Sequence, residues 1–332
     1  MKLPRRVRIA GLATYVPPRI LSNGDLERMV DTSDEWIFQR TGIRERHIVG
    51  NGMATSDMAL EASVAAIGQA GITPRDVGFI VVGTTTPDTI FPSTACVLQD
   101  KLGATGAWGF DLGAACSGFT YALTVGLQMV GTFAHDYAVV VGADTMSSII
   151  DYTDRTTCIL FGDGAGAVVL APATGEEPAI IDFAHEIDGS GGPALCMPAG
   201  GSRMPASRET VEQRLHYVKQ DGQAVFKFAV RKTEEISRRI LERNGLQPSE
   251  LDLFVSHQAN RRIITAAAER LGLPDSKVVI NLDRFGNTTG ATIPLALADA
   301  AADGRLKRGD LVLLASVGAG FTVGAVLLKW GL

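Results

Sequence analysis

The sequence predicts an α/β fold built from two similar halves. Apolar, strand-like segments alternate with helical segments along the whole 332-residue chain, which is the pattern of sheets covered by helices. The chain is also too long for one ordinary hydrophobic core, so two core-forming units are expected. Segments of the first half can be laid over segments of the second at an offset of about 170 residues. We therefore predict two α/β halves, residues 1–174 and 175–332, related by pseudo-twofold symmetry.

In the first half, short apolar runs predict strands, and alanine-rich or capped segments predict helices. The predicted strands cover residues 7–15, 77–83, 137–141 and 165–170, and the predicted helices cover residues 55–70 and 94–102. A further strand ends at Ala114, and a helix begins near Cys116 and continues through the apolar segment 122–130. Residues 171–178, which contain two prolines and a glycine, are predicted to be the linker between the halves.

The second half repeats this alternation after a glycine- and proline-rich segment at residues 188–205. An amphipathic helix over residues 224–243 has apolar residues on one face and six Arg or Lys residues on the other. The remaining prediction is a strand at 179–183, a strand at 251–256, a helix at 259–271, a strand at 277–282, a helix at 293–302 and a final pair of strands.

Composition and charge exclude several classes of protein. The net charge of −5 argues against a general nucleic-acid binder, which normally carries a basic surplus. The four cysteines form no CxxC pair, so a zinc site is not indicated, and a reducing cytoplasmic location is the simplest expectation. Residues 311–328 carry no charge and are long enough to span a membrane. Glycines interrupt them, so we predict two buried strands and no membrane contact.

Cys116 lies among small residues at the predicted strand-to-helix turn. The unpaired N–H groups of a first helical turn would face its sulfur and favour the thiolate. A buried structural cysteine, which behaves as a small apolar residue, is an equally good interpretation of this stretch alone. The duplication adds a second indication, because Asn287 occupies the equivalent turn of the second half and His257 ends the neighbouring strand. Symmetric packing would bring these three side chains together.

Three motifs stand together in the chain: ACSGF at 115–119, SHQAN at 256–260 and FGNTTGATIP at 285–294. With them the sequence resembles the thiolase superfamily, and specifically the bacterial β-ketoacyl-acyl-carrier-protein synthase III family. The resemblance extends to TSDEW at 32–36, RTGIRER at 40–46 and GAGFT at 318–322, so it covers essentially the whole chain. It implies a thiolase-like fold, in which the two halves form a layered αβαβα architecture.

The resemblance also implies a reaction. An acyl-CoA, with acetyl-CoA as the expected substrate, would condense with malonyl-acyl carrier protein to give 3-oxoacyl-acyl carrier protein, CoA and CO₂. This is the first condensation of type II fatty-acid synthesis, and it needs no cofactor. Cys116 would be the nucleophile, as a thiolate near neutral pH. His257 and Asn287 would stabilise the malonyl enolate, and the backbone N–H groups of Cys116 and Ala319 would form the oxyanion hole of acyl transfer.

Substrate-binding residues follow from the same resemblance. The CoA and acyl groups would meet Thr32, Trp36, Arg40, Phe91, Arg155, Arg262 and Phe321. Phe91 resembles the residue that a partner subunit inserts into the acyl pocket, which implies a homodimer. The acidic carrier protein would dock on Lys227, Gln258, Ala259, Asn260, Arg261 and Arg262, although Glu269 beside them leaves the strength of docking open. From the residues alone, ordinary helix packing is the favoured interpretation of Trp36 and a solvated surface that of the arginines, and Phe91 could simply fill the core.

Two alternatives remain. A homologue from specialised metabolism would load another acyl group or use another acceptor, and acyl-chain preference cannot be read from the sequence. A non-catalytic, carrier-binding scaffold is the alternative from a different class. The presence of Cys116, His257 and Asn287 argues against it.

Overall fold

The first half is organised on a five-stranded sheet with the order β1-β7-β6-β4-β5. The structure is a computed structural model and describes residues 3–332. The elements of this half are β1 (Val7–Tyr15), β2 (Arg19–Ser22), α1 (Asn23–Glu27), α2 (Asp34–Thr41), β3 (Glu45–Ile48), α3 (Thr55–Gln69), β4 (Phe79–Gly83), α4 (Thr94–Leu102), β5 (Trp108–Leu112), α5 (Gly118–Gly131), β6 (Ala138–Asp144) and β7 (Gly164–Pro172).

The second half is organised on a four-stranded sheet with the order β11-β12-β13-β8. Its elements are β8 (Ile180–Ile187), β9 (Leu195–Cys196), α6 (Arg208–Glu212), β10 (Lys219–Gln220), α7 (Gly222–Arg243), β11 (Leu253–Ser256), α8 (Arg261–Leu271), α9 (Leu282–Phe285), α10 (Thr292–Ala302), β12 (Leu311–Gly318) and β13 (Thr322–Lys329). β9 and β10 form a small separate ribbon in the long connection between β8 and α7.

The two sheets repeat one topology. In the first, β1 and β7 are antiparallel, β7 and β6 are antiparallel, and β6 and β4 are parallel. In the second, β8, β13, β12 and β11 follow one another with the same three orientations. The internal duplication inferred from the sequence is therefore visible as a repeated strand order.

The helices complete five layers. α5 and α10 lie between the sheets, and their side chains share one core with strands of both, including Phe119, Leu123, Ile293 and Leu297. Burial on all sides explains why α5 contains no charged residue. α3 and α4 cover the outer face of the first sheet, and α7 and α8 cover that of the second. The α/β class and the layered αβαβα architecture are confirmed.

The predicted strand at 277–282 is wrong. Only an isolated bridge between Phe254 and Val278 is present there, and α9 begins at Leu282. The backbone turns away because Asn281 adopts φ −142°, ψ 6°, and its N–H donates to the buried side-chain oxygen of Gln258 at 3.0 Å. β5 of the first half consequently has only a single-bridge counterpart in the second.

The uncharged segment 311–328 forms the antiparallel hairpin of β12 and β13, as predicted. Within residues 3–332 no helix is long and apolar enough to cross a membrane.

Candidate active site

Cys116 lies in the turn between β5 and α5. A single 3₁₀ turn, residues 115–117, precedes the helix, and Ala115 adopts a left-handed φ of +46°. This conformation costs about 1–2 kcal/mol for a residue other than glycine. The start of the turn after β12 presses against it, because a Cβ atom on Gly318 would lie 2.8 Å from the amide nitrogen of Cys116. Glycine is required at 318 for this approach, which brings the neighbouring Ala319 into the cavity beside Cys116.

The turn that follows Asn287 has the same backbone conformation as the turn at Cys116. A 3₁₀ turn at 289–291 leads into α10, and Thr289 adopts a φ of +49°. The two turns are thus equivalent, as predicted, but their functional side chains are not at equivalent positions. Thr289 corresponds to Ala115, so Gly290 corresponds to Cys116, and Asn287 lies three residues earlier in its turn. The equivalence inferred from the sequence was wrong at this level of detail.

Asn287 is held by both its backbone and its side chain. Its N–H donates to the carbonyl of Leu160 at 2.8 Å, and its carbonyl accepts the N–H of Gly162 at 3.1 Å. The side-chain Oδ1 accepts the N–H of Thr289 at 2.8 Å. The Nδ2 group is therefore the end of the side chain that can donate toward the sulfur of Cys116, which lowers the pKa of the thiol.

His257 follows directly after β11 and completes the group. Its N–H donates to the carbonyl of Ala315 at 2.8 Å, which continues the pairing with β12. Its ring is fixed by a contact of 2.7 Å between Nδ1 and Oγ1 of Thr292, the first residue of α10. His257, Cys116 and Asn287 line the same cavity. The structure brings together the three side chains that the sequence selected.

The sulfur is a thiol in the substrate-free site. Burial raises the pKa of Cys116 to about 12; the charge of Asp144 acts in the same direction, and the hydrogen bond from Asn287 opposes both. The expectation of a thiolate near neutral pH is wrong for this state, because burial and the charge of Asp144 outweigh the two groups that lower the pKa, the Asn287 side chain and the backbone N–H of Cys116.

His257 is a neutral imidazole at physiological pH. Burial lowers its pKa to about 3, since the charged form would be desolvated. A neutral ring can accept a proton from the thiol or donate one hydrogen bond, depending on which nitrogen carries its hydrogen.

Asp144, at the end of β6, connects the two turns. This fully buried carboxylate accepts hydrogen bonds from the Thr289 hydroxyl and from the N–H of Gly290 in the second turn. It also accepts from the hydroxyl groups of Thr84, Thr85 and Thr86, which follow β4. Asp144 therefore stabilises the Asn287 turn, while its charge disfavours ionisation of Cys116.

Two cavities meet at the sulfur. A cavity of about 290 Å³ extends from Trp36 and Arg40 at its outer end to Cys116, His257 and Asn287. A second cavity of about 130 Å³ lies on the other side of Cys116, and its apolar lining includes Met146, Ile149, Phe161, Leu195, Met197 and Val218. The arrangement suits a thioester whose long arm fills the first cavity and whose acyl group enters the second.

The residues expected to bind CoA are only partly gathered around the first cavity. Arg40 and Arg155 both lie over the ring of Trp36, at 5.3 and 5.5 Å from its centroid. Arg155 also pairs with the exposed carboxylate of Asp31. Phe321 lines the deep part of the same cavity and stacks on Phe228 at 4.1 Å.

Thr32, Phe91, Arg155 and Arg262 do not line the first cavity. The hydroxyl of Thr32 is buried with no hydrogen-bond partner among residues 3–332. Arg262 lies over the ring of Phe226 and lines a shallow groove between α7 and α8 that includes Glu269. Phe226 itself lines the first cavity, so this groove adjoins the entrance.

The expected carrier-protein surface needs one correction. Gln258 is 1% exposed, and its amide group bonds to the carbonyls of Ser256 and Val279; it supports the Asn281 turn and cannot meet a docked protein. Asn260 caps α8 and donates to the carbonyl of Arg40, and Ala259 beside it is half-buried in the cavity wall.

The cations of the expected surface are exposed. Within residues 3–332 none of the three, Lys227, Arg261 and Arg262, forms an ion pair. Most basic residues of α7 are paired instead with Glu186, Glu234 or Glu235.

Phe91 is 82% exposed, beside Ile90 at 86%. Core filling within its own chain is therefore excluded.

Sequence reasoning missed Asp144 and Thr292, whose roles depend on contacts between distant segments. It also missed the wall of the second cavity, because the segment 188–205 gave no regular pattern.

Comparisons with known proteins agree with this geometry. Residues 110–189 match the family 3-oxoacyl-[acyl-carrier-protein] synthase III, and residues 241–330 match its C-terminal family. The protein named beta-ketoacyl-[acyl-carrier-protein] synthase III from Solibacter usitatus is 57% identical to this chain, and the match covers 98% of this chain and 99% of that protein. The protein of the same name from Koribacter versatilis is 55% identical, and the match covers 98% of each chain. The solved 3-oxoacyl-(acyl carrier protein) synthase III of Pseudomonas aeruginosa is 42% identical, with a TM-score of 0.92 over 99% of both chains. The corresponding structure from Aquifex aeolicus is 41% identical, with a TM-score of 0.90 over 98% of this chain and 100% of that one.

Proposed function

The chain belongs to the 3-oxoacyl-[acyl-carrier-protein] synthase III family of condensing acyltransferases, and from that premise we propose how its residues divide the reaction. Cys116 accepts an acyl group from acyl-CoA in the first half-reaction. In the second, the acylated enzyme condenses with malonyl-acyl carrier protein, releasing CO₂ and 3-oxoacyl-acyl carrier protein. The observation that carries this proposal is the meeting of Cys116, His257 and Asn287 where the two cavities join.

In the first half-reaction the thiol must lose its proton as it attacks, because the resting site does not hold a thiolate. His257 Nε2 accepts that proton and passes it to the departing CoA sulfur, so the imidazole returns to neutrality. The carbonyl oxygen of the acyl group becomes an oxyanion during the attack. The backbone N–H groups of Cys116 and Ala319 lie at the turn where that oxygen forms, and they stabilise it.

In the second half-reaction, loss of CO₂ from the malonyl group leaves an enolate. Asn287 Nδ2 and His257 Nε2 donate hydrogen bonds to the enolate oxygen. The enolate carbon then attacks the acyl group on Cys116, the C–C bond forms as the C–S bond breaks, and the departing cysteine sulfur takes up one proton from solvent. Metal ions and organic cofactors have no part in the proposed steps.

The entrance binds the two carriers in turn. The ring of Trp36, with Arg40 and Arg155 over it, offers a stacking surface for the CoA base and charged partners for its phosphates. Thr32, two residues before α2, stays a proposed contact of CoA on the family resemblance alone. Lys227, Arg261 and Arg262 are the exposed cations that face the acidic carrier protein.

We propose a short acyl group, with acetyl as the preferred substrate. The second cavity is apolar and small, about 130 Å³, so it accepts a short acyl group and excludes a long chain. Acetyl, propionyl, butyryl, hexanoyl and octanoyl-CoA would be compared by the rate at which each acylates Cys116. Acetyl-CoA is expected to react, and octanoyl-CoA is not. Failure of acetyl-CoA with rapid reaction of a longer or branched acyl-CoA would contradict this preference and favour the specialised alternative.

A homodimer follows from the surface of the first half. β5 is an edge strand that begins at the half-exposed Trp108, and the exposed Ile90 and Phe91 lie in the segment between β4 and α4. We propose that two copies pair through this edge, in the cytoplasm, where the four free cysteines stay reduced. Light scattering after size exclusion tests the dimer. A monomer at micromolar concentration would contradict it.

A further inference from the structure

The second cavity lies between two segments that are far apart in the sequence. One is the connection from β6 to β7, which contributes Met146 and Ile149 to the lining. The other is the small ribbon of β9 and β10 with its flanking residues, which contributes Leu195, Met197 and Val218. The distance between these two segments therefore limits the length of the group that the cavity can hold.

Residues 197–218 connect β9 to β10, and we call them the ribbon loop. Most of them are exposed, so polar contacts contribute much of what holds the loop to the rest of the chain. The N–H of Val218 donates to the carbonyl of Ile149 at 3.0 Å. Farther from the ribbon, the guanidinium of Arg214 forms an ion pair with the carboxylate of Asp151. Both contacts join the ribbon loop to the connection between β6 and β7.

The ion pair has a two-point geometry. Nε and Nη2 of Arg214 donate to the two carboxylate oxygens of Asp151, at 2.7 and 2.5 Å. The hydrogen bonds from Arg214 hold the pKa of Asp151 well below its ordinary value, so the carboxylate is charged at physiological pH. Arg214 adopts a left-handed φ of +56°, which is unfavourable for a residue with a side chain. The chain thus accepts an unfavourable backbone conformation at the residue that makes this contact.

Loss of the cation would separate the two segments. The side chain of Asp151 is 4% exposed while Arg214 covers it. Without Arg214 the carboxylate must be hydrated, because a charged group without a partner is strongly disfavoured away from water. The water that reaches it has to enter between the ribbon loop and the connection from β6 to β7. The loop, and the cavity wall that it carries, would then move outward.

Such a movement matters for a long acyl group and little for a short one. An acetyl group on Cys116 occupies only the part of the second cavity beside the sulfur. A longer chain must extend between the two segments, toward Ile149 and Met197. Neither Asp151 nor Arg214 lines either cavity, so the pair acts only through the position of the wall.

We propose that Arg214, through its ion pair with Asp151, is a specificity-determining residue that holds the ribbon loop against the second cavity and restricts the enzyme to short acyl groups. The inference rests on the proposed entry of the acyl group into that cavity. Arg214 is the residue to change, because Asp151 also accepts the N–H and the hydroxyl of Thr153. Altering Asp151 would disturb the turn that leads to Arg155.

The test compares the rates at which acetyl-CoA and hexanoyl-CoA acylate Cys116, followed by intact mass spectrometry of quenched samples. In Arg214→Gln the ratio of the hexanoyl rate to the acetyl rate is expected to rise at least about tenfold. The acetyl rate itself should stay within about threefold of the wild-type rate. Circular dichroism checks that the variant is folded. An unchanged ratio in the folded variant overturns the proposal.

The chain offers a matched control in the ion pair of Arg243 with Asp182. Its Nε–Oδ2 distance is also 2.7 Å, and its side chains are 50% and 3% exposed, against 46% and 4% for Arg214 and Asp151. Arg243 ends α7 and lines neither cavity. Arg243→Gln is therefore expected to keep the wild-type ratio to within about twofold. An equal rise in Arg243→Gln would show a general loss of stability and overturn the proposal.

Arg214→Lys tests the two-point contact itself. An ammonium group keeps the charge but cannot reproduce the fork of the guanidinium, so the ratio is expected to rise by about threefold, between the wild-type and Arg214→Gln values. A wild-type ratio in Arg214→Lys overturns the proposal, since the position of the wall would then not depend on the fork.

The same spectra separate these outcomes from failure of the proposed function. A wild-type protein that takes up no acyl group from any acyl-CoA contradicts the proposed function itself. Proteins that are acylated, with the same ratio in the wild type and in Arg214→Gln, contradict only the role of Arg214.

Discussion

The two strand-to-helix turns at the centre of the molecule have nearly the same backbone and different chemistry. Ala115 and Thr289 adopt φ values of +46° and +49°, and each begins a 3₁₀ turn that leads into a buried helix, α5 or α10. In the first turn the next residue is Cys116. In the second it is Gly290, where a Cβ atom would lie 3.0 Å from the carbonyl oxygen of Gly83.

The difference shows how a duplicated backbone came to serve two steps. Only the first turn carries a side chain at this position, because the backbone of Gly83 crowds the place of a Cβ atom on Gly290. The second turn supplies its functional group from three residues earlier, through Asn287, and a second one from the helix start, through Thr292. The first turn is thus suited to hold the acyl group, and the second to hold the enolate and the histidine.

Removing the sulfur should have the largest effect. Cys116→Ser is expected to lower overall turnover by at least about 10⁴-fold, because the serine hydroxyl is a far weaker nucleophile without an activating network. Turnover is measured as CO₂ release coupled to 3-oxoacyl product. Cys196→Ser is the matched control, since Cys196 lines the same small cavity and is expected to retain turnover. If Cys116→Ser had the same turnover as the wild-type protein, Cys116 could not be the nucleophile.

Removing the amide of the second turn should affect one half-reaction selectively. Asn287→Ala is expected to slow malonyl decarboxylation by about 100- to 1,000-fold, as loss of one oxyanion donor usually does. Acylation of Cys116 should fall by less than about tenfold, since Asn287 only moderates the pKa of the thiol. Rapid-quench measurement of each half-reaction gives the two rates. The assignment fails if acylation is the step that is blocked.

The ionisation of Cys116 offers a test of the contrast between the turns. With its pKa raised to about 12, the rate of alkylation by iodoacetamide should increase about tenfold per pH unit from pH 7 to 10, without levelling. A plateau near pH 7 would show a preformed thiolate and contradict the description of the resting site.

Asp144→Asn sharpens that test. Loss of the charge should lower the pKa of Cys116 and speed alkylation at pH 8, while the weaker hold on Thr289 slows decarboxylation. Circular dichroism checks that the variant is folded, and Cys116→Ser gives the background of the other cysteines. If alkylation at pH 8 does not become faster in the folded variant, the charge of Asp144 has no effect on the thiol.

The smallest expected effect concerns the second substrate alone. Lys227→Ala should raise KM for malonyl-acyl carrier protein by about two- to fivefold, because one exposed charge pair contributes less than about 1 kcal/mol. The rate of acylation by acetyl-CoA should not change. Glu269→Lys is expected to lower the same KM, and high salt should reduce both effects. An effect of Lys227→Ala on acylation alone would place that residue at the CoA site instead.

The sequence was sufficient for the architecture because alternating strands and helices repeat at a near-constant spacing. It was also sufficient for Cys116 and His257, which lie where predicted strands end, and for Asn287, which the duplication and the motif at 285–294 indicated. The strand at 277–282 failed because a tertiary contact, from the Asn281 N–H to Gln258, overrides the local preference of an apolar run. The same contact explains why Gln258 is buried, although it lies in a motif with exposed neighbours.

The rest of the site depends on contacts between distant segments. The state of the Cys116 sulfur is set by burial and by Asp144, and no local pattern reports either. The ring of His257 is held at Nδ1 by Thr292, which reaches it only when α10 packs against the end of β11. Short motifs therefore identify the reacting groups, but the groups that set their protonation become visible only in the folded chain.

The central claim is that the first turn carries the acyl group and the second does not. The most direct test is peptide mapping by mass spectrometry after incubation with acetyl-CoA in the absence of malonyl-acyl carrier protein. We predict one acetyl group on the peptide that contains Cys116, in the wild-type protein and in Asn287→Ala alike. An acetyl group on any other residue, or its absence from the Asn287→Ala protein, would contradict the account.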